Sequence, residues 1–155
     1  MRVRIKSRAE IEKLSSEYPF PFKSALISIT NNGCDFAELK NKPDFLLQLS
    51  FDDISGYIFE EELGRSPTEE ERAIIEEKYH MISDEQAKQI ADFYHSVKDK
   101  ARVIFCQCEY GISRSAAVAA AILEYSSRDG ITIFEDDKYH PNKTVYKKVL
   151  KAIKG

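Results

Sequence analysis

The chain has 155 residues, 43% hydrophobic and 32% charged, a make-up that suits one domain (1–155) with a sizeable core. A formal net charge of −3 at pH 7 argues against a broadly basic nucleic-acid binder, and no apolar run approaches the ~20 residues of a membrane span. Three cysteines, an odd number without zinc-like spacing, point to a reducing, cytoplasmic setting rather than a disulfide framework.

The N-terminus, Met1 to Lys6, lacks the apolar stretch of a secretory signal. Arg2 to Lys6 alternates charged and apolar residues, the pattern of a half-exposed strand. Ser7 then caps a helix through Glu17, with Glu10 in capping-box position, and Pro19 and Pro21 stop it. Ala25 to Ile29 reads as a buried strand closed by the turn Asn31-Asn32-Gly33. Cys34 follows and is given no role. Phe45, Leu47, Leu49 and Phe51 alternate with Leu46, Gln48 and Ser50, a clear strand period that ends at Asp52-Asp53.

Residues 54–82 read as a helical insert. Ile54 to Phe59 form a turn or short helix, and Gly64-Arg65-Ser66-Pro67 punctuates the stretch. Thr68 caps a helix through Tyr79, whose apolar side is Ala73, Ile74 and Ile75. Ser83 caps a second helix, with Ala87, Ile90, Ala91, Tyr94 and Val97 on its inner face and His95 off that stripe, at the surface. The runs Glu60-Glu61-Glu62 and Glu69-Glu70-Glu71, and the basic clusters at both chain ends, read as solvated faces.

Val103 to Cys106 is a buried strand, and Ala116 to Leu123 is rich in strong helix formers. Between them lies Cys108-Glu109-Tyr110-Gly111-Ile112-Ser113-Arg114-Ser115. A loop that enters a helix N-terminus offers unpaired backbone N–H groups and a positive dipole end, which suits a tetrahedral oxyanion. Both the dipole and Arg114 favour a thiolate at Cys108, and arginine can hold two phosphoryl oxygens at once. After a break at Ser126 to Gly130, Ile131 to Phe134 is apolar enough to be buried as a further strand. Pro141-Asn142 opens a last helix with Val145, Val149, Leu150 and Ile153 inward.

Cysteine, five residues, arginine and serine, with Gly111 in mid-loop, resembles the signature loop of the cysteine-dependent protein tyrosine phosphatase superfamily, in its small dual-specificity-like branch. The resemblance runs from about Ala25 to Ile153, but only the loop is specific. It implies an α/β fold in three layers, a central mostly parallel sheet with helices on both faces, and strands near Val3, Leu26, Leu47, Val103 and Ile131. It also implies a protein phosphatase acting on phosphotyrosine, either alone or together with phosphoserine and phosphothreonine. Cys108 would be the nucleophile, and the backbone of Glu109, Tyr110, Gly111, Ile112, Ser113 and Arg114 would cradle phosphate. The Arg114 guanidinium would hold its oxygens, Asp53 would be the general acid with Asp52 in reserve, and Ser115 would donate to sulfur. No metal and no organic cofactor is implied. The partner is a phosphorylated protein or peptide, with no nucleic acid and no membrane insertion.

The chain departs from that pattern at Gln107, where the superfamily usually has histidine. Glutamine cannot carry charge, so slower turnover is expected. Asn142 reads as a helix cap and, by resemblance, as a support of the site. Cys106 is a core residue or, on the other reading, a disulfide partner for Cys108. Two other functions stay open: a phosphate-binding module without activity, and a phosphoinositide phosphatase. Glu109 and the lack of lysine in the loop weigh against the second.

Overall fold

The computed structural model describes residues 1–155. Four strands, β1 (Arg2–Ser7), β2 (Ser24–Thr30), β3 (Phe45–Ser50) and β4 (Val103–Cys108), form one sheet in the order β1-β4-β2-β3. Every neighbouring pair is parallel. Parallel pairing needs crossovers, and helices supply them or pack over the sheet. These are α1 (Arg8–Glu17), α2 (Ile58–Leu63), α3 (Glu69–Lys78), α4 (Asp84–Val97), α5 (Arg114–Ser127), α6 (Ile131–Glu135) and α7 (Lys143–Lys154).

The central strands β2 and β4 are buried along their whole length, because both faces of the sheet are covered and alternation is lost. On one face Ile11 of α1 packs with Leu26, Val103 and Phe105. On the other, α4, α5 and α7 cover Ala25, Ile27, Ile29, Ile104 and Cys106. This is the three-layer α/β arrangement, with the larger core on the α5 side. A separate small cluster of Phe59, Ile75 and Met81 holds α2 and α3 together. No helix is long and apolar enough to cross a membrane.

Local signals place the helix starts. Ser7, Thr68 and Ser83 each form a capping box, with Glu10, Glu71 and Gln86 returning to the cap's own amide. This pattern satisfies two otherwise orphaned N–H groups within a few residues. Bonding to Arg65 also holds the Glu71 carboxyl down to about 2. The predicted inner face of α4, Ala87, Ile90, Ala91, Tyr94 and Val97, is the buried one. Val145, Val149 and Ile153 of α7 are buried as well, and Leu150 packs partly buried against them.

Three expectations are corrected. Ile131 to Phe134 is the start of the short helix α6, not a strand, and Ile131 is 57% exposed. The sheet therefore has four strands, all parallel. A four-residue apolar run fits either state by periodicity. Here Arg128, in a left-handed conformation, turns the chain back along α5, and Phe134 packs edge-on against Tyr146. In α3 only Ile75 is buried, while Ile74 is 67% exposed, because an amphipathic helix in contact along one narrow seam buries one row. Over Ile54 to Phe59, where a turn or short helix is expected, a turn at 56–57 leads into the short helix α2 from Ile58. His95 is not a free surface residue: its Nε2 lies 2.9 Å from the Ile153 carbonyl and ties α4 to the end of α7.

Candidate active site

Cys108 is the last residue of β4, in register with Ser7 at the end of β1. The site therefore lies at the carboxyl ends of the strands, where open α/β sheets collect their ligands. The loop Glu109–Ser113 leaves the strand and enters α5 at Arg114.

Its shape is fixed from outside. Arg8 N–H donates to the Glu109 carbonyl at 3.0 Å, His140 N–H to Ile112 at 3.0 Å, and Asn142 N–H to Ser113 at 3.2 Å. In a trans peptide the carbonyl and the next N–H point opposite ways. Carbonyls drawn outward thus turn the amides of Tyr110, Ser113 and Arg114 toward the loop's interior. The amides of Glu109 through Ser113 have no backbone acceptor. Gly111 makes the tight bend: its φ is +67°, and a Cβ there would lie 2.7 Å from Ser7 N and 2.8 Å from Lys6 C. Only glycine meets both demands.

Arg114 is 4% exposed. One terminal nitrogen donates to the Phe51 carbonyl at 2.7 Å, which joins α5 to the end of β3. Its Nε is buried without a protein partner, a donor left for an anion. Ser115 Oγ lies 3.0 Å from Cys108 Sγ, both buried. Against an ionised sulfur the hydroxyl is the donor.

The two aspartates after β3 go different ways. Asp53 Oδ1 accepts from Ser113 Oγ and from Asn142 Nδ2, each at 2.8 Å, which brings Asp53 to the loop. Asp52 Oδ1 accepts from Asn32 N–H at 2.8 Å and is spent on the turn after β2. Ser113 is thus a tether to Asp53. Asn142 both caps α7, accepting from Thr144 and Val145, and reaches Asp53.

Gln107 is buried on the opposite side of β4. Its Oε1 accepts from Ser28 Oγ at 2.5 Å and its Nε2 donates to the Cys108 carbonyl at 3.0 Å. Cys106 sits in the core, in register with Ile5 and Ile27, and burial pushes its thiol well above its ordinary range. Cys34 is exposed and lines a shallow cavity of about 520 Å³ with Arg8, Glu109 and Tyr110, beside the loop rather than over Cys108. No group of three or more His, Cys, Asp and Glu side chains is placed to hold a metal ion.

Sequence reading missed three residues. Arg8 donates to Thr30, Asp35 and Phe36 as well as to the loop. Thr144 Oγ1 accepts from Gly56 N–H, and Lys148 reaches Ile82, Glu76 and Asp84. Each reads in sequence as an ordinary solvent-facing polar side chain, and no local spacing marks it.

A strand ending in cysteine, a tight loop, a buried arginine at the helix start and an aspartate brought in from the end of β3 are set in a three-layer α/β fold that the chain shares with solved phosphatase-like structures. Among solved structures, PTPMT1 in complex with PI(5)P is similar with a TM-score of 0.54 at 15% identity, covering 99% of this chain and 90% of that one. A second PTPMT1 crystal structure gives 0.50 at 14%, with the same coverage. Tk-PTP in the active form gives 0.49 at 17%, covering 99% and 91%. At these identities the likeness is one of fold. No family model matches the chain, and no curated protein does.

Proposed function

We propose that the protein is a cysteine-dependent phosphatase that hydrolyses phosphate monoesters through a cysteinyl-phosphate intermediate. The observation that carries this reading is the buried Arg114 Nε, unpartnered, at the end of a loop that Cys108 begins. In the first step Cys108 Sγ attacks phosphorus and the bond to the leaving oxygen breaks. The loop amides and Arg114 hold the equatorial oxygens as charge builds on them. Asp53 gives its proton to the leaving oxygen. Its Oδ1 is held by Ser113 and Asn142, which leaves Oδ2 to carry that proton. In the second step water attacks phosphorus and Asp53 takes its proton. The P–S bond breaks, with Ser115 donating to the departing thiolate.

The substrate class we favour is a phosphorylated protein or peptide. Tyr110 is 77% exposed at the rim, a flat apolar surface for a peptide to lie on. PTPMT1 in complex with PI(5)P, a protein of the same fold, supports a second reading, a phosphoinositide headgroup. The carboxylate of Glu109 at the rim opposes a multiply phosphorylated ligand. The test is hydrolysis of p-nitrophenyl phosphate with EDTA present, wild type against Cys108→Ser, followed by phosphopeptide and phosphoinositide panels. Activity that resists EDTA and disappears in Cys108→Ser is expected. A wild type that binds phosphate but releases no product returns the protein to the class of inactive phosphate-binding modules.

A further inference from the structure

The residues between Asp53 and α2 form no regular structure, so their polar groups need partners elsewhere. The first turn of α7 provides them. Asn142 Nδ2 donates to Asp53 Oδ1 at 2.8 Å and to the Ile54 carbonyl at 3.1 Å. Two residues on, Thr144 Oγ1 accepts the Gly56 N–H at 2.7 Å. The two grips are linked. The amides of Thr144 and Val145 both donate to Asn142 Oδ1, at 3.0 and 3.1 Å. With that oxygen committed, the carboxamide nitrogen has to face Asp53.

The approach at Gly56 is close. A Cβ there would sit 3.1 Å from Thr144 Oγ1, tighter than side chains tolerate without movement. Cys108 and Arg114, by contrast, are held from β4 and from the Phe51 carbonyl. Nothing in the Thr144 contact touches them, so it bears on one side of the site alone.

We propose that Thr144 is a positioning residue for Asp53: its hydroxyl, bonded to Gly56 N–H, fixes the short loop that carries the acid. This rests on the phosphatase reading above. Removing the hydroxyl leaves the Gly56 amide unpaired and lets the stretch from Asp53 to Gly56 drift, while the nucleophile and phosphate loop stay in place. A displaced acid matters in proportion to the basicity of the leaving group. p-Nitrophenolate departs with little help, whereas phenolate needs the proton.

The experiment measures kcat/KM, which reports the leaving-group step and not the breakdown of the shared intermediate, for phenyl phosphate and p-nitrophenyl phosphate on wild type, Thr144→Val, Thr144→Ser and Gly56→Ala. Thr144→Val is expected to lose about tenfold on phenyl phosphate and less than about threefold on p-nitrophenyl phosphate. Thr144→Ser, which keeps the acceptor, retains the wild-type ratio. Gly56→Ala, which pushes the pair apart, shifts the ratio in the same direction as Thr144→Val. Because both rates come from one preparation, the ratio is independent of the folded fraction, and a merely structural residue leaves it unmoved. Equal losses on the two esters, or none, in an active wild type overturn the positioning role alone. A wild type that hydrolyses neither ester overturns the phosphatase reading and this role with it.

Discussion

Gly111 is the residue on which the loop turns. Its positive φ costs a non-glycine residue about 1–3 kcal/mol, and the Cβ contacts with Ser7 and Lys6 are with backbone that cannot swing aside. Gly111→Ala is therefore expected to destabilise the fold by about 3 kcal/mol or more. It should also lower p-nitrophenyl phosphate turnover at least about 100-fold by misaligning the loop amides. Urea unfolding and the rate assay check both halves, and an Ala variant of wild-type activity would mean that the amides do not bind the ester. Gln107 is a quieter case. Its two bonds, to Ser28 and to the Cys108 carbonyl, give each polar atom of this buried amide a partner, which is how a residue without charge fits at the foot of the loop.

At the scale of elements, α7 joins parts that the chain keeps far apart. Its first turn holds the Asp53 loop, and one turn further Lys148 fastens α3 and the start of α4. Lys148 Nζ donates to the Ile82 carbonyl at 3.1 Å and lies 2.8 Å from Glu76 Oε1, an ion pair off the angle of an aligned hydrogen bond. Both side chains are mostly sheltered, at 14% and 13% exposure, so removing one leaves the other's charge poorly solvated. Lys148→Met keeps the apolar stem and should cost about 2 kcal/mol, a fall in Tm of about 4–8 °C. Thermal unfolding followed by circular dichroism measures it. An unchanged Tm would mean that the pair is screened as at an open surface. α2 and α3 otherwise rest on a small cluster of their own, which is why one ion pair weighs heavily there.

At the scale of the whole molecule, the sheet sorts the three cysteines by environment. Cys34 is exposed while Cys106 and Cys108 are buried, and burial holds the Cys106 thiol protonated. Thiolate is the reactive form. With Ellman's reagent under native conditions Cys34 should react, and Cys106 only on unfolding, as peptide mapping would read. Labelling of Cys106 in the folded protein would contradict a β4 covered on both faces, and would revive its pairing with Cys108.

Whatever depends on neighbours in the chain can be read locally. The capping boxes at Ser7, Thr68 and Ser83 close over three residues, so their starts were legible. The inner face of α4 follows from one helical period, and the motif from Cys108 to Ser115 announces a strand, loop and helix. Tertiary structure alone decided what distance in sequence hides. Asp53 is brought to the loop, rather than Asp52, by Ser113 and Asn142, which lie 60 and 89 positions away. Gly56 finds Thr144 at a separation of 88. Ile131 to Phe134 became a helix where the chain turns back along α5 and Phe134 meets Tyr146 edge-on, not because of any period within four residues. Local order is written in hydrogen bonds between near residues. The side of a site on which a carboxylate lands depends on where two crossovers return to the sheet, and no window of sequence contains both.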